Sequence, residues 1–343
     1  MKLKKLLLTL IVLILLLPYQ QINAESESPD ITAGAALLMD SKTSKILYSK
    51  NENEKMYPAS TTKIMTAILT IENCNLDDIV TVPYDAIATI PSGYSIAALQ
   101  TGEQLTVNQL LQLMMVHSAN DAANVLAFHV AGSLESFATM MNTKVAELGL
   151  EHTHFLNPSG MHNEDHYTTA YDLAKLMQYC MKNSTFRTIA GLKFCTVPAT
   201  NKYGERIFTS TNELLTLVDN RNVASNYYYK YAIAGKTGYT TEAKNCLVSV
   251  SNKDGFELIS VILSVGLYPN NISGKFVETK SLFNYGYDNY TLRKLREKDA
   301  IATQVEVGNG TKETKNLDLL ISDDITATIK QSDFNTEFEP EIQ

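Results

Sequence analysis

Three short stretches of this 343-residue chain hold polar side chains whose types and spacing suit covalent chemistry on a carbonyl. In YPASTTKIM, residues 57–65, Ser60 follows Pro58-Ala59 and Lys63 stands three residues later, ahead of the apolar Ile64, Met65, Ala67, Ile68 and Leu69. A serine in that position caps a helix, and a lysine at i+3 lies on the same helical face. A serine hydroxyl is a weak nucleophile unless a neighbouring base takes its proton, and lysine is such a base only while neutral. The second stretch, HSAND, supplies Ser118-Ala119-Asn120, and the third, AGKTGYT, supplies Lys236-Thr237-Gly238. Singly, each has an ordinary reading: a helix cap, or a strand ending at a turn. Their joint occurrence in this order is the informative fact.

The order and approximate separations are those of the penicillin-recognising serine enzymes, in which Ser-x-x-Lys, Ser-x-Asn and Lys-Thr-Gly line one cleft. From about Ala33 to Tyr290 the chain resembles a low-molecular-mass penicillin-binding protein, a serine-type D-alanyl-D-alanine carboxypeptidase. PASTTKIMTA, VHSANDAA, FLNPSGM and AGKTGYTTEAKNCLV carry the resemblance. It implies an α+β fold, an antiparallel sheet flanked by a helical lobe with the site between them. It also implies an acyl-enzyme on Ser60, with Lys63 as base, made less basic by burial and by the second cation Lys236. Ser118 would relay a proton to the leaving amine and Asn120 would hold the substrate amide. Lys236 and Thr237 suit a terminal carboxylate, and Gly238 lets a peptide lie along the strand edge. The implied oxyanion hole is the backbone N–H of Ser60 and of Tyr239. Peptidoglycan stem peptides are the implied substrates and β-lactams the implied covalent inhibitors, with no cofactor and no metal.

Two rivals share these motifs. A class A β-lactamase needs a carboxylate to activate the deacylating water, on a Glu-x-x-Leu-Asn stretch; the local match is THFLN, with Thr153 where that glutamate would stand. A catalytically inactive cell-wall binding protein usually loses the nucleophile or the lysine, and both are retained here.

The elements that must position these residues are legible as changes of period. Ala35 to Met39 and Lys45 to Ser49 read as two strands around a polar turn. From Thr61 to about residue 190 the pattern is helical, with Thr106 as one N-cap and Thr168 or Thr169 as another. Beyond that the period returns toward two: YAIAGKTGYTT and KNCLVSVSNKDGFELISVILSV read as consecutive antiparallel strands turning at Asn252-Lys253-Asp254-Gly255, followed by a helix over Val277 to Tyr287. Early and late strands can pair only if the helical block is an insertion between them. After Tyr290, alternation around Gly308-Asn309-Gly310 predicts a small β module. The expected division is a signal peptide over 1–24, a carboxypeptidase domain over 25–290 and a β-rich C-terminal domain over 291–343. Relatives in the resembled family commonly add an amphipathic anchoring helix, which FNTEFEPEIQ does not supply, so the C-terminal module is expected to be incomplete or the enzyme held at the wall differently.

The signal-peptide expectation comes from Lys2, Lys4 and Lys5, an apolar run Leu6 to Leu17 of about 12 residues where a spanning helix needs roughly 20, and a small-residue stop at Ala24. Removing it takes the formal charge from −8 to −11. That acidic balance, with no basic cluster, excludes nucleic acid and electrostatic docking to anionic lipid as functions, and the location expected is extracytoplasmic. Cys74, Cys180, Cys195 and Cys246 are scattered without a CxxC pair; buried thiols are expected, with Cys74–Cys180 or Cys195–Cys246 as the pairings open to an oxidising compartment. His162 and His166 in HNEDH have metal-like spacing but lie in a loop with no third ligand. His117 is expected to pack rather than act, and the tyrosines of NYYYKY to form an amphipathic strand edge or a stacking rim.

Overall fold

Strand β1, Ala35–Asp40, is buried along its whole length. Ala35 to Met39 read as an unbroken apolar run because both faces of the sheet are covered. The computed structural model describes residues 27–218, 225–308 and 316–334; the signal-peptide segment and residues Asn309 and Gly310 of the expected turn lie outside them. With β2 (Ile46–Lys50), β3 (Ala232–Thr240), β4 (Lys244–Lys253) and β5 (Phe256–Val265), β1 forms a five-stranded antiparallel sheet in the order β2-β1-β5-β4-β3. The β1–β5 register runs from Ala35↔Leu263 to Asp40↔Leu258, so an early and a late strand meet at the sheet centre and the helical block is the insertion that the alternation of periods requires. β4 and β5 close through Asp254 and Gly255 at φ 54° and 86°, the two left-handed residues of a tight hairpin.

Side-chain alternation divides the core. Leu37, Met39, Val248, Val250, Ile259 and Val261 face a helical lobe whose longer members are α1 (Lys63–Asn73), α2 (Val107–Val116), α3 (Asn120–Ala131), α4 (Leu134–Glu147), α5 (Ala170–Cys180) and α6 (Ser184–Ala190). Ala36, Leu38, Leu247, Leu258 and Ile262 face the opposite way, onto Phe276, Leu282, Phe283 and Tyr287 of α7 (Gly274–Asn289). The caps explain why the lobe helices start where they do. Thr106 and Gln109 form a reciprocal capping box on α2, and Thr169, rather than Thr168, accepts from Asp172 N to cap α5.

After α7 come β6 (Tyr290–Arg296), β7 (Ile301–Glu306), β8 (Asn316–Leu320) and β9 (Ile325–Lys330), paired β6–β9 and β7–β8 as two antiparallel ribbons. Lys45 Nζ donates to Thr328 O at 2.9 Å, resting the β6–β9 ribbon against the β1–β2 turn. All four cysteines are free thiols, three of them buried. The tyrosine run is neither strand nor rim: Tyr227, Tyr229 and Tyr231 pack with Phe276, Phe283 and Tyr287, and Tyr229 Oη donates to Asn284 Oδ1 at 3.0 Å. Their aromatic surface is worth more against α7 than in water.

Candidate active site

Ser60 sits in a 3₁₀ turn, Ala59–Thr62, that runs straight into α1 at Lys63. The expectation that its side chain caps a helix is not met. No side-chain cap bond is made at either start, and Ser60 Oγ instead receives Lys63 Nζ at 2.9 Å. The turn is held from below: Thr61 Oγ1 donates to Pro58 O at 2.7 Å, and Gly160 packs so closely that a Cβ there would stand 1.9 Å from Ala59 O. That contact, with Ala59 at φ +46°, fixes the direction of the serine.

Lys63 is completely buried and, among the described residues, no carboxylate forms an ion pair with it. Besides Ser60 Oγ, its Nζ meets Asn120 Oδ1 at 2.7 Å and Ser159 O at 2.6 Å, both obligate acceptors in this arrangement. Asn120 is oriented by its own Nδ2, which donates to Ser95 O at 3.1 Å. A neutral amine has two hydrogens and one lone pair. As an ammonium, Nζ donates to all three; once neutral, its two hydrogens serve Asn120 and Ser159, and the Ser60 contact reverses, with the hydroxyl donating to the lone pair. Burial, then the charge of Lys236, holds the Lys63 pKa well below its usual value, against a smaller opposing pull from Asp121.

Ser118 occupies the turn between α2 and α3 at φ +64°, a left-handed conformation costly for serine, and faces β3. Lys236 Nζ, also buried, donates to Ser118 Oγ at 3.0 Å and to Thr237 O at 2.9 Å. Its pKa is lowered to about 7 by burial and then by Lys275. Thr237 Oγ1 meets Thr211 Oγ1 at 2.7 Å. Gly238 lies against the nucleophile turn, where a Cβ would stand 2.9 Å from Pro58 O and 3.0 Å from Ser60 N. Tyr239 follows on the free edge of the sheet, its side chain exposed.

These residues converge. Ser60, Ser118, Asn120, Thr237, Gly238 and Tyr239 line one open cleft of about 540 Å³, with Lys63 and Lys236 in its floor. A profile of one family, described as D-alanyl-D-alanine carboxypeptidase, matches residues 22–266 of the sequence. The chain belongs to the D-alanyl-D-alanine carboxypeptidase family. Among curated relatives of this carboxypeptidase family, DacF of Bacillus subtilis (strain 168) is 29% identical over 99% of this chain and 85% of its own length, and the D-alanyl-D-alanine carboxypeptidase of Streptomyces sp. (strain K15) is 35% identical over 76% and 88%. The solved structure of penicillin binding protein 5 from Haemophilus influenzae superposes with a TM-score of 0.76 at 27% identity, covering 90% of this chain and 86% of that one.

Several parts of this carboxypeptidase-family cleft left no mark in the motifs. Thr211, Lys275, the Ser159 carbonyl and Gly160 come from segments whose proximity only the tertiary fold creates. FLNPSGM, already informative by resemblance, carries two of them. His166 is another. Leu156 N donates to its Nδ1 at 3.0 Å, which leaves Nε2–H to donate to Thr62 Oγ1 at 2.8 Å, tying the 156–160 loop to the nucleophile turn. Burial, then His154, His162 and Lys63, push its pKa down to about 3, so it stays neutral. His162 instead packs edge-on against Tyr57 at 4.6 Å, and the described residues contain no group of three or more metal-ligating side chains. His117 packs as expected, stacking on Phe208 at 3.9 Å, and also lines the cleft. Thr153 lies off the cleft, its hydroxyl donating to Asp172 Oδ2 at 2.7 Å.

Proposed function

We propose that this family member removes the terminal D-alanine from peptidoglycan stem peptides through an acyl-enzyme on Ser60. The reading rests above all on Lys63: a buried amine whose two other contacts are acceptors, with its lone pair left for the serine 2.9 Å away. Ser60 Oγ attacks the carbonyl carbon of the penultimate residue as Lys63 Nζ takes the hydroxyl proton. The oxyanion settles between the Ser60 and Tyr239 amides, the pocket that Gly238 leaves open.

As the tetrahedral intermediate collapses, the C–N bond breaks and the leaving amine takes a proton from Ser118 Oγ; the proton that Lys63 took from Ser60 passes on to Ser118, which leaves Lys63 neutral again. D-Alanine departs, and water attacks the ester with the same Lys63 acting again as base. Thr237 and the cations Lys236 and Lys275 hold the substrate carboxylate, so that only a free C-terminus fits. Asn120 and the edge of β3 align the peptide, and positioning of this kind contributes as much as the base.

β-Lactams enter as mimics and acylate Ser60 by the same attack. Hydrolysis of that adduct is slow, because Thr153, in the place of a β-lactamase glutamate, is bonded to Asp172 and does not reach the cleft. Within the chain, residues 1–24 act as a secretory signal peptide, 25–290 as the catalytic domain and 291–343 as an accessory β domain, placing the enzyme on the outer side of the cytoplasmic membrane, at the cell wall. Incubation with diacetyl-L-Lys-D-Ala-D-Ala tests the reading: release of D-alanine, lost in Ser60→Ala, supports it, and absence of release from the folded wild type overturns it.

A further inference from the structure

The lone pair of Lys63 is only as well aimed as the carbonyl beside it. Ser159 O stands 2.6 Å from Nζ and belongs to a loop, 155–161, that lies far along the chain. The loop is stiff within itself: Asn157 Oδ1 accepts from Ser159 N, Gly160 N and Met161 N at 3.2, 2.8 and 3.0 Å. It therefore shifts as one body, and with it go both the Ser159 carbonyl and Gly160, which packs against Ala59 O beside the nucleophile.

Two bonds fasten this body to the turn and helix that carry Ser60 and Lys63. Thr66 Oγ1 donates to Pro158 O at 2.6 Å. One turn earlier, Thr62 Oγ1 accepts from His166 Nε2–H at 2.8 Å, while His166 Nδ1 accepts from Leu156 N at 3.0 Å. A body held at one point swings about it; the second bond removes that freedom. Thr62 and His166 are buried, and the ring sits edge-on against Phe155 at 5.4 Å, so both bonds are shielded from solvent. A neutral imidazole offers one acceptor and one donor, which is what this bridge uses; an imidazolium would turn an N–H toward the Leu156 N–H. Burial keeps the ring neutral.

The bridge acts on the chemical step. As Nζ takes the Ser60 proton, positive charge appears on it, and the Ser159 carbonyl dipole stabilises that charge more than it stabilises the neutral amine. We infer that His166 is a positioning residue for acylation, bracing the Thr62 turn against the loop so that the Ser159 carbonyl and the Ser60 hydroxyl meet Lys63 Nζ together. The inference rests on the carboxypeptidase reading and deepens it by naming what holds its base in line.

Stopped-flow acylation by benzylpenicillin separates the dissociation constant of the first complex from the rate constant of acyl transfer. Thr62→Val keeps the shape of the side chain and removes the acceptor; Thr62→Ser keeps the hydroxyl and loses a methyl group. The rate constant is expected to fall about 10- to 100-fold in Thr62→Val, the scale of a small misalignment of reacting groups, and to stay within about threefold of wild type in Thr62→Ser. The dissociation constant should be unchanged in both. His166→Phe, which keeps a ring against Phe155, should match Thr62→Val, and the double variant should be no slower than the slower single one, because both remove the same bond. A packing role alone predicts the reverse order at Thr62, since the serine variant leaves a buried cavity. A rate constant within about twofold of wild type in Thr62→Val, an equal loss in Thr62→Ser, a loss confined to the dissociation constant, or losses that multiply in the double variant would each overturn the inference. Where His166→Phe does not fold, the two Thr62 variants decide alone. If the wild type is not acylated at Ser60, it is the carboxypeptidase reading that has failed.

Discussion

A first side-chain carbon on residue 238 would stand 3.0 Å from the backbone nitrogen of Ser60. The glycine of Lys-Thr-Gly is thus required by the turn that carries Ser60, since the same carbon would stand 2.9 Å from Pro58 O and 3.1 Å from Ala59 Cβ. Gly238→Ala is expected to push β3 and the Ser60 turn apart and to narrow the oxyanion pocket. Acylation by benzylpenicillin should slow by about 10²-fold or more, the usual cost of losing one oxyanion donor. Stopped-flow acylation checks this; a loss under threefold would mean the pocket lies elsewhere.

Lys63→Arg is expected to be nearly inactive although the charge is kept. Arginine does not give up its proton near neutral pH, so the lone pair directed at Ser60 disappears. The loss should be about 10²- to 10⁴-fold, the contribution typical of a positioned base. Substantial acylation by the arginine variant would show that Lys63 acts only as a positive charge.

Two buried lysines give the pH profile a definite shape. Lys63 must be neutral, so kcat/KM rises as pH climbs through its lowered pKa. Lys236 must be charged to hold the carboxylate, so kcat/KM falls as pH passes its value of about 7. The profile for a free-carboxylate peptide is expected to be a bell, and its falling limb should vanish in Lys236→Met. Stability moves with the opposite sign. Lys236 has a folded pKa below the unfolded value of 10.5, so between about 7 and 10.5 the unfolded chain holds the extra proton and stability rises with pH. Thermal unfolding at pH 7 and pH 9 should show that rise, reduced in Lys236→Met; an equal rise in the variant would remove the assignment.

What could be read from the sequence, and what could not, follows from the range of the interactions. Ser60 with Lys63, Ser118 with Asn120, and Lys236 with Thr237 and Gly238 are local pairs, so spacing alone places each group. The Thr106 cap and the β4–β5 hairpin were legible for the same reason. Thr211 on Thr237, the Ser159 carbonyl on Lys63, and His166 under Thr62 are bonds across 26, 96 and 104 residues, and no local pattern encodes them. The tyrosine run misled because three adjacent aromatics suit a strand edge as well as a packed loop, and only α7 decides between them. Ser60 does not cap a helix because it lies inside the 3₁₀ turn, after its first residue, and its hydroxyl is bonded to Lys63 Nζ.

The penicilloyl-enzyme is expected to persist. A peptide acyl group leaves room for water at the ester, whereas the penicillin ring stays over it, and Thr153 provides no independent base. A half-life of minutes or longer is predicted, against peptide turnover on the order of one per second, the common enzyme range. Rapid multiple turnover of benzylpenicillin would contradict this and favour β-lactamase chemistry.

The most direct test of the account is where the covalent bond forms. Purified protein should be incubated with benzylpenicillin, its intact mass recorded and the adduct located by peptide mapping. The account predicts a single penicilloyl group on Ser60, absent from Ser60→Ala. An adduct on any other residue, or one that survives in the alanine variant, would contradict it.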